Sequence, residues 1–490
     1  MKLKTKKLDI LTQGHNVCLL NSEDARKLHI KNTDRIVIKR GSKSYYAVVD
    51  IANTHHFLKN GEIGVFSELC SELSLKSGSQ IDIEIADKPI TLNLIRKKLD
   101  GNSLDDSEIY SIISDMVSSK LSEVEIAHFL SACHSIGLSL KEISSIANAL
   151  MNTGDVLKFD KYPLVNLKMI GSLSHSLYFI VASILSSLKI GVLSLIDDNS
   201  WSPSNFSSVF KSFGMKPIAS QDSNIILNRS SCLFFLNKDV SVVPGVAKIG
   251  KIEHPILAYS DGLISASILS ESKSLSASHS FIPIFYGVGR PVPDLPNAKR
   301  LKNVILKASN KLKAKVGVLI LDGNFPIERN IGYLESSDVI LALKNELSHS
   351  KLVDTAIDIS GEIINFVGKK NGIKVAREII KSGQALDQFR KIVRYYGGNT
   401  QLDNSTSGII SKDIKASRNG FVSTIDNSLL SRISIMTGSQ VQNGAGVSIH
   451  KNRHDRIEKG EKILTLYSME KDLIENAKEF ASKNEIIHIT

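Results

Sequence analysis

The stretch Leu164 to Ser176, "LVNLKMIGSLSHS", has the layout of an anion-holding loop: an apolar lead-in, Ile170-Gly171, small polar residues, then a long apolar run. Phosphate is ordinarily held by a Lys or Arg, by glycines that let the backbone approach, and by N–H groups at a helix start. Lys168, Gly171 and Ser172 are the residues here that offer such chemistry. One cation and one glycine make the outline of a phosphate loop with few of its contacts.

A loop of this kind must be set between a strand and a helix. From residue 160 to about 395, apolar runs ("IGVLSLI", "SCLFFLN", "VGVLILDGN") alternate with helical stretches ("NAKRLKNVILKASNKL", "GIKVAREIIKSGQALDQFRKIV"). That alternation predicts an α/β sheet with ligands in the loops at strand ends. Residues 1–88 are β-rich: "RIVIKR" and "SYYAVVDIA" flank Gly41-Ser42, and "IDIEIA" alternates, which predicts a small barrel or sandwich. Between 89 and 155 the period turns helical, with Ile109, Ile112, Ile113 and Met116 on one face. Ser122 with Glu125 and Ser139 with Glu142 have capping-box spacing, so three short helices are expected. Gly397-Gly398 and "NTQLDNSTSG" read as a linker, and 399–490 returns to strand and turn before a helix near 470–482. The fold class is therefore α/β and multidomain, with boundaries at 1–88, 89–155, 156–398 and 399–490.

Composition narrows the partners. A net charge of +11 suits an acidic ligand, but beyond "KLKTKK" the cations are scattered and no basic helix or RNA-binding motif occurs, so nucleic acid is not the expected partner. Four well-separated cysteines lack C-x-x-C spacing, which argues for free thiols in a reducing cytoplasm and against zinc ribbons. The run Ser176–Ile196 nears the length of a membrane span, yet Lys189, frequent serines and Gly191 divide it into a buried helix and a buried strand. A cytoplasmic protein without membrane insertion is expected.

Several segments together resemble the long-type thymidine phosphorylases and the archaeal AMP phosphorylases, across nearly the whole chain. "KLDILTQGHNVCLLNSEDARKLHI" is similar to that family's extra N-terminal barrel, and "IRKKLDGNSLDDSEIYSIISDMVSSKLSEVEIAHFLSAC" with "MNTGD" to its α domain. "KSGQALDQFRKIVRYYGGN", "NGFVSTIDN", "NGAGVSIHK" and "KGEKILTLY" resemble its closing segment and C-terminal barrel. The resemblance implies an N-terminal barrel, a helical domain, an α/β phosphorylase core and a small C-terminal barrel of the pyrimidine nucleoside phosphorylase type. The implied reaction is reversible phosphorolysis of a nucleoside or nucleoside monophosphate to base and sugar phosphate, with no cofactor and phosphate as co-substrate. A homo-oligomer, or a heteromer with a relative, is implied through the helical domain.

Laid onto the family's Lys-His-Ser-x-Gly-Gly loop, Leu167 stands at the phosphate lysine, Lys168 at the histidine, Met169 at the serine and Ser172 at the second glycine. In "IDDNSWSPSNFSS", Ser202-Pro203 sets the register and puts Asp198 at the arginine, with Asp197 beside it. That reverses charge where a dianion would sit. At about 4 Å and an effective dielectric near 20, each unit-charge interaction is roughly 4 kcal/mol. Tyr259 falls at the acid position, with Asp261 two residues on; Ser267 opens the retained "SIL"; the downstream lysine becomes Pro291 beside Arg290, the best surviving anion contact. Arg329 and Glu335 lie in a stretch expected to brace loops. These departures imply a catalytically degenerate copy, a pseudoenzyme. Two alternatives stand: an active phosphorylase in which Arg290, Lys168 and Asp261 carry the work, and a scaffold or metal-assisted enzyme using Asp197 and Asp198.

Overall fold

The computed structural model describes residues 1–490 outside 11–16, 42, 54–56, 160–162, 173–174, 197–205, 217, 219–221, 237–243, 252–259, 348–349 and 402–407. The chain divides into two compact units, Met1–Thr153 and Gly154–Thr490.

In the first unit, strands β1 (Lys2–Leu8), β2 (Val17–Asn21), β3 (Arg35–Arg40), β4 (Lys43–Ala52), β5 (Glu62–Phe66) and β6 (Gln80–Ile85) close a barrel in the order β1-β5-β2-β4-β3-β6. The barrel, not the sandwich, is the outcome. Closure buries alternate residues such as Leu3, Ile36, Ile38, Ile63 and Val65 and removes the open strand edges. Gly41, at φ +59°, makes the turn between β3 and β4.

Four helices, one more than expected, follow the barrel: Thr91–Leu99, Asp106–Val117, Glu123–Ile136 and Leu140–Asn152. The first carries only Thr91, Ile95 and Lys98 as buried residues, a stripe too sparse to stand out by periodicity. Ser122/Glu125 and Ser139/Glu142 form complete capping boxes, as does Asp105/Glu108. Glu142 also accepts from Lys98 Nζ at 2.8 Å, a buried ion pair that staples the first helix to the last.

The second unit is built on a five-stranded sheet of β7 (Leu164–Leu167), β8 (Gly191–Ile196), β9 (Cys232–Leu236), β10 (His279–Tyr286) and β11 (Val316–Asp322), in the order β11-β10-β7-β8-β9. Every pairing is parallel. Both faces are covered, which is why β7 and β8 are buried at every position and are mostly apolar, with Asn166 and Ser194 the polar residues among them. On one face Ile282 and Ile284 pack against Ile268 of the helix Asp261–Ser274 and against Leu301 and Ile305 of the helix Leu295–Lys311. An aromatic cluster of Phe179, Phe206, Phe210, Phe213, Phe234 and Phe389 packs elsewhere in the core, with Phe179 and Phe206 stacked at 5.2 Å.

Ser176–Ser187 is a helix and is followed by β8, so the apolar run is split as its Gly191 suggested. Among the described residues no helix is long and apolar enough to cross a membrane. The stretch 372–393, read as helical, is divided between the helices Gly372–Lys381 and Gln384–Tyr395, because Gly383 takes a left-handed φ of +79°. One strand before it, β12 (Asn330–Gly332), and six after it, β13 (Ile410–Lys415), β14 (Gly420–Ile425), β15 (Gly446–Ile449), β16 (Arg456–Ile457), β17 (Lys462–Ser468) and β18 (Ile487–Ile489), make a four-stranded sheet, β12-β15-β17-β13, and a three-stranded one, β16-β14-β18. They share an apolar core with the helices Asn427–Met436 and Lys471–Lys483. All four cysteines are buried and unpaired as thiols.

Candidate functional site

The chain leaves β7 for β8 and β9 on one side, then returns to place β10 on the other side of β7. The carboxyl ends of β7 and β10 are therefore a topological switch point, where open parallel sheets leave a crevice for ligands. Lys168, Gly171 and Ser172 follow β7 at that crevice, and Arg290 lies in the loop after β10.

Strand pairing persists past β7. Ile170 N–H donates to Pro283 at 2.9 Å, and Phe285 N–H donates back to Ile170 at 2.9 Å. Gly171 turns the chain at φ +79°, and a Cβ there would lie 2.4 Å from the Phe285 carbonyl oxygen. Only glycine fits this position. Three backbone donors of this segment are engaged within the protein. Lys168 N–H bonds Phe281 at 3.2 Å, Met169 N–H bonds the Tyr178 hydroxyl oxygen at 2.8 Å, and His175 N–H bonds Glu335 Oε2 at 3.0 Å.

The side chains are engaged too. Lys168 Nζ donates to Glu271 Oε1 at 2.9 Å and to the Leu195 carbonyl at 3.2 Å. Glu271 is fully buried, and it sits one turn beyond Ser267 on the helix Asp261–Ser274. Arg290 is 5 % exposed. It donates to the carbonyls of Gly323 and Gly171 and, at 3.3 Å, to Asn427 Oδ1. Asn427 in turn donates to Val288 at 2.7 Å and Gly323 at 3.2 Å. Arg290 thus holds together the loops after β7, β10 and β11 and the start of the helix Asn427–Met436. Burial pushes its guanidinium down to about 10, against the opposing pull of Glu328 and Asp322. It remains a cation at neutral pH, solvated by carbonyl oxygens.

Asp261 opens its helix, and its Oδ2 accepts from Arg300 Nε at 2.5 Å. Ser267 is half-buried mid-helix, and its carbonyl accepts the Ser270 hydroxyl at 2.7 Å. Leu167, at the position of the family's phosphate lysine, is fully buried in β7 opposite Phe281. Glu335 is buried and bridges His175 N–H and Gly332 N–H, the bracing expected of its stretch. Asp197, Asp198, Ser202 and Tyr259 lie outside the described residues.

The structure thus brings Lys168, Gly171 and Arg290 to one crevice and gives Asp261 a partner on the neighbouring helix. Sequence reasoning missed Glu271, Tyr178 and Asn427. The one signal for Glu271 was a carboxylate in the otherwise small and apolar "ASILSES", four residues after Ser267. Nothing local marked the other two.

Residues 92–154 match the glycosyl transferase family, helical bundle domain, and residues 421–488 match the pyrimidine nucleoside phosphorylase C-terminal domain. The chain is 27% identical over 472 residues to the AMP phosphorylase of Thermofilum pendens, covering 96% of this chain and 91% of that one. It is 25% identical over 484 residues to the AMP phosphorylase of Methanococcoides burtonii, covering 97% and 95%. Among solved structures, anthranilate phosphoribosyltransferase from Thermus thermophilus superposes with a TM-score of 0.50 at 15% identity, over 62% of this chain and 99% of that one. The enzyme of the same name from Saccharomyces cerevisiae gives 0.50 at 15%, over 63% and 98%. These two establish likeness of fold alone. The chain is thus similar nearly end to end to AMP phosphorylases, and its two matched domains stand in the order expected of the thymidine and AMP phosphorylase family.

Proposed function

We propose that this protein is a nucleoside or AMP phosphorylase-fold protein in which ordinary phosphorolysis has been lost or is very weak. One observation carries the reading: both cations at the switch-point crevice already have oxygen partners within the protein. Lys168 is bound to Glu271 and Leu195, and Arg290 to Gly171, Gly323 and Asn427. Phosphorolysis needs phosphate held against the anomeric carbon in a preorganised positive field. Recruiting either cation to phosphate would leave a buried carboxylate or buried carbonyls without a donor, a cost of several kcal/mol. The reversed charge at Asp198 and the apolar Leu167 support the same reading from the sequence. The substrates that would fit the family fold are nucleosides or nucleoside monophosphates with phosphate. A role as a ligand-binding or scaffold partner, in a homodimer or with an active relative, follows naturally from an intact fold.

The decisive experiment is phosphate-dependent release of base from AMP, CMP, UMP and thymidine by the purified full chain. No release above the protein-free control is expected. Robust turnover would overturn the proposal.

A further inference from the structure

A second cleft, of ≈790 Å³, opens at the carboxyl end of β11, between that strand and the C-terminal sheet. Its size falls within the range of small-molecule sites, and strand carboxyl ends are where parallel sheets present ligands. Phe325, Arg329, Lys351, His450 and Arg453 line it.

Its histidine is held in one tautomer. Asp413 on β13, Thr465 on β17 and His450 just after β15 form a hydrogen-bonded line across the sheet. The Thr465 hydroxyl donates to Asp413 Oδ1 at 2.8 Å, and Thr465 Oγ1 lies 2.7 Å from His450 Nε2. Hydrogen bonds from Lys462 and Thr465 keep Asp413 below the usual carboxylate range, so it is ionised and accepts only. The single hydroxyl hydrogen of Thr465 is therefore committed to Asp413, and the contact with His450 requires Nε2–H as donor. Burial, with Lys462 and Arg329 nearby, lowers the His450 pKa and favours the neutral ring. The lone pair is left on Nδ1.

The charges of the cleft are unevenly matched. Its carboxylates have partners: Asp322 accepts from Asn324 at 2.8 Å and lies 3.7 Å from Arg453, and Glu346 lies 3.8 Å from Lys344. Glu328 is buried and also partnered. Among the described residues, the Arg329 guanidinium and the Lys351 ammonium have neither a hydrogen-bond nor an ion-pair partner. Lys351 also begins the helix Lys351–Phe366, whose N-terminal dipole adds to the positive field. Burial lowers the Lys351 pKa; Arg290 and Arg453 act with it, and Asp322 and Glu328 against it.

We propose that this cleft is a second binding site, taking a small phosphate monoester that bears a hydroxyl group: the phosphate meets Arg329 and Lys351, and the hydroxyl donates to His450 Nδ1. The Phe325 ring, with Arg453 5.4 Å from its centroid, forms an apolar wall beside the charged end. This site is separate from the switch-point crevice and does not depend on whether phosphorolysis survives there.

Calorimetric titration of the full chain with glycerol 3-phosphate and with inorganic phosphate tests it. Saturable binding of glycerol 3-phosphate is expected, weakened about tenfold or more by Lys351→Gln and by Arg329→Gln, since each removes one charge-assisted contact. Both residues are exposed enough that the fold should survive. His450→Asn should erase the preference for glycerol 3-phosphate over inorganic phosphate while leaving phosphate binding in place. No saturable binding, or binding that Lys351→Gln and Arg329→Gln leave at parental strength, overturns the proposal.

Discussion

Arg290 donates to the carbonyl of Gly323 and to that of Gly171, so one buried side chain ties the loop after β11 to the loop after β7. Gly323 is held to glycine by the same contact, since a Cβ there would lie 2.5 Å from Arg290 Nε. Arg290→Ala should cost about 2–4 kcal/mol of stability, because it leaves buried carbonyl groups without donors and opens a cavity. Arg290→Lys should recover only part of this, lacking the planar fork. Denaturant unfolding of the two variants checks the claim; a loss below about 0.5 kcal/mol would mean that the clamp is not structural.

Lys168 and Glu271 should behave as one unit. Lys168→Met or Glu271→Gln alone is expected to lower stability by about 3–5 kcal/mol, since each breaks a largely buried ion pair. The double variant should lose less than the sum of the two. Thermal unfolding of all four proteins completes the cycle, and strict additivity would show that the pair is not coupled.

Leu167→Lys should not bring back phosphate binding. Leu167 is fully buried in β7 and faces Phe281 across the sheet, so a lysine there must bury its charge or distort the central strand. The expected result is a destabilised protein with no gain in base release. A soluble Leu167→Lys variant that binds phosphate more tightly than the parent would show that the loop can shift register.

The helical bundle should lose stability in acid through Glu142. Burial opposes its charge, but Lys98 Nζ and the N–H groups of Ser139 and Leu104 outweigh that and hold its pKa below the usual value. A depressed folded-state pKa gives stabilisation that is complete above the unfolded value of about 4.3 and disappears as pH falls through the folded value. The stability of the first unit against denaturant should therefore fall below about pH 4. Glu142→Gln should be less stable at pH 7 and flatter across the acid range. An unchanged acid profile in that variant would assign the effect to other carboxylates.

Tyr110, Val124 and Ile136 are 44%, 66% and 46% exposed on the helical bundle, the domain through which the sequence's resemblance implies association. Light scattering at micromolar concentration is expected to give a dimer, with Val124→Glu shifting it toward monomer. A parent protein that is monomeric under those conditions, alone and mixed with an active relative, would remove this expectation.

The sequence by itself determined what nearest neighbours along the chain decide. Ser122 with Glu125 and Ser139 with Glu142 cap their helices because the bonded groups are three residues apart. The alternation of apolar runs with helical stretches announced an α/β sheet, and Gly191 and Lys189 divided a membrane-length run into helix and strand. Only the tertiary structure decided the state of the crevice. Glu271 lies 103 positions from Lys168, Gly171 lies 119 from Arg290, and Asn427 lies 137 beyond it. A parallel sheet with long crossovers brings these groups together, and no local period or spacing encodes which carboxylate or carbonyl will meet which cation. Reading along the chain, Lys168 and Arg290 were two positive charges near a loop; folding fixed them to oxygen atoms of the protein itself.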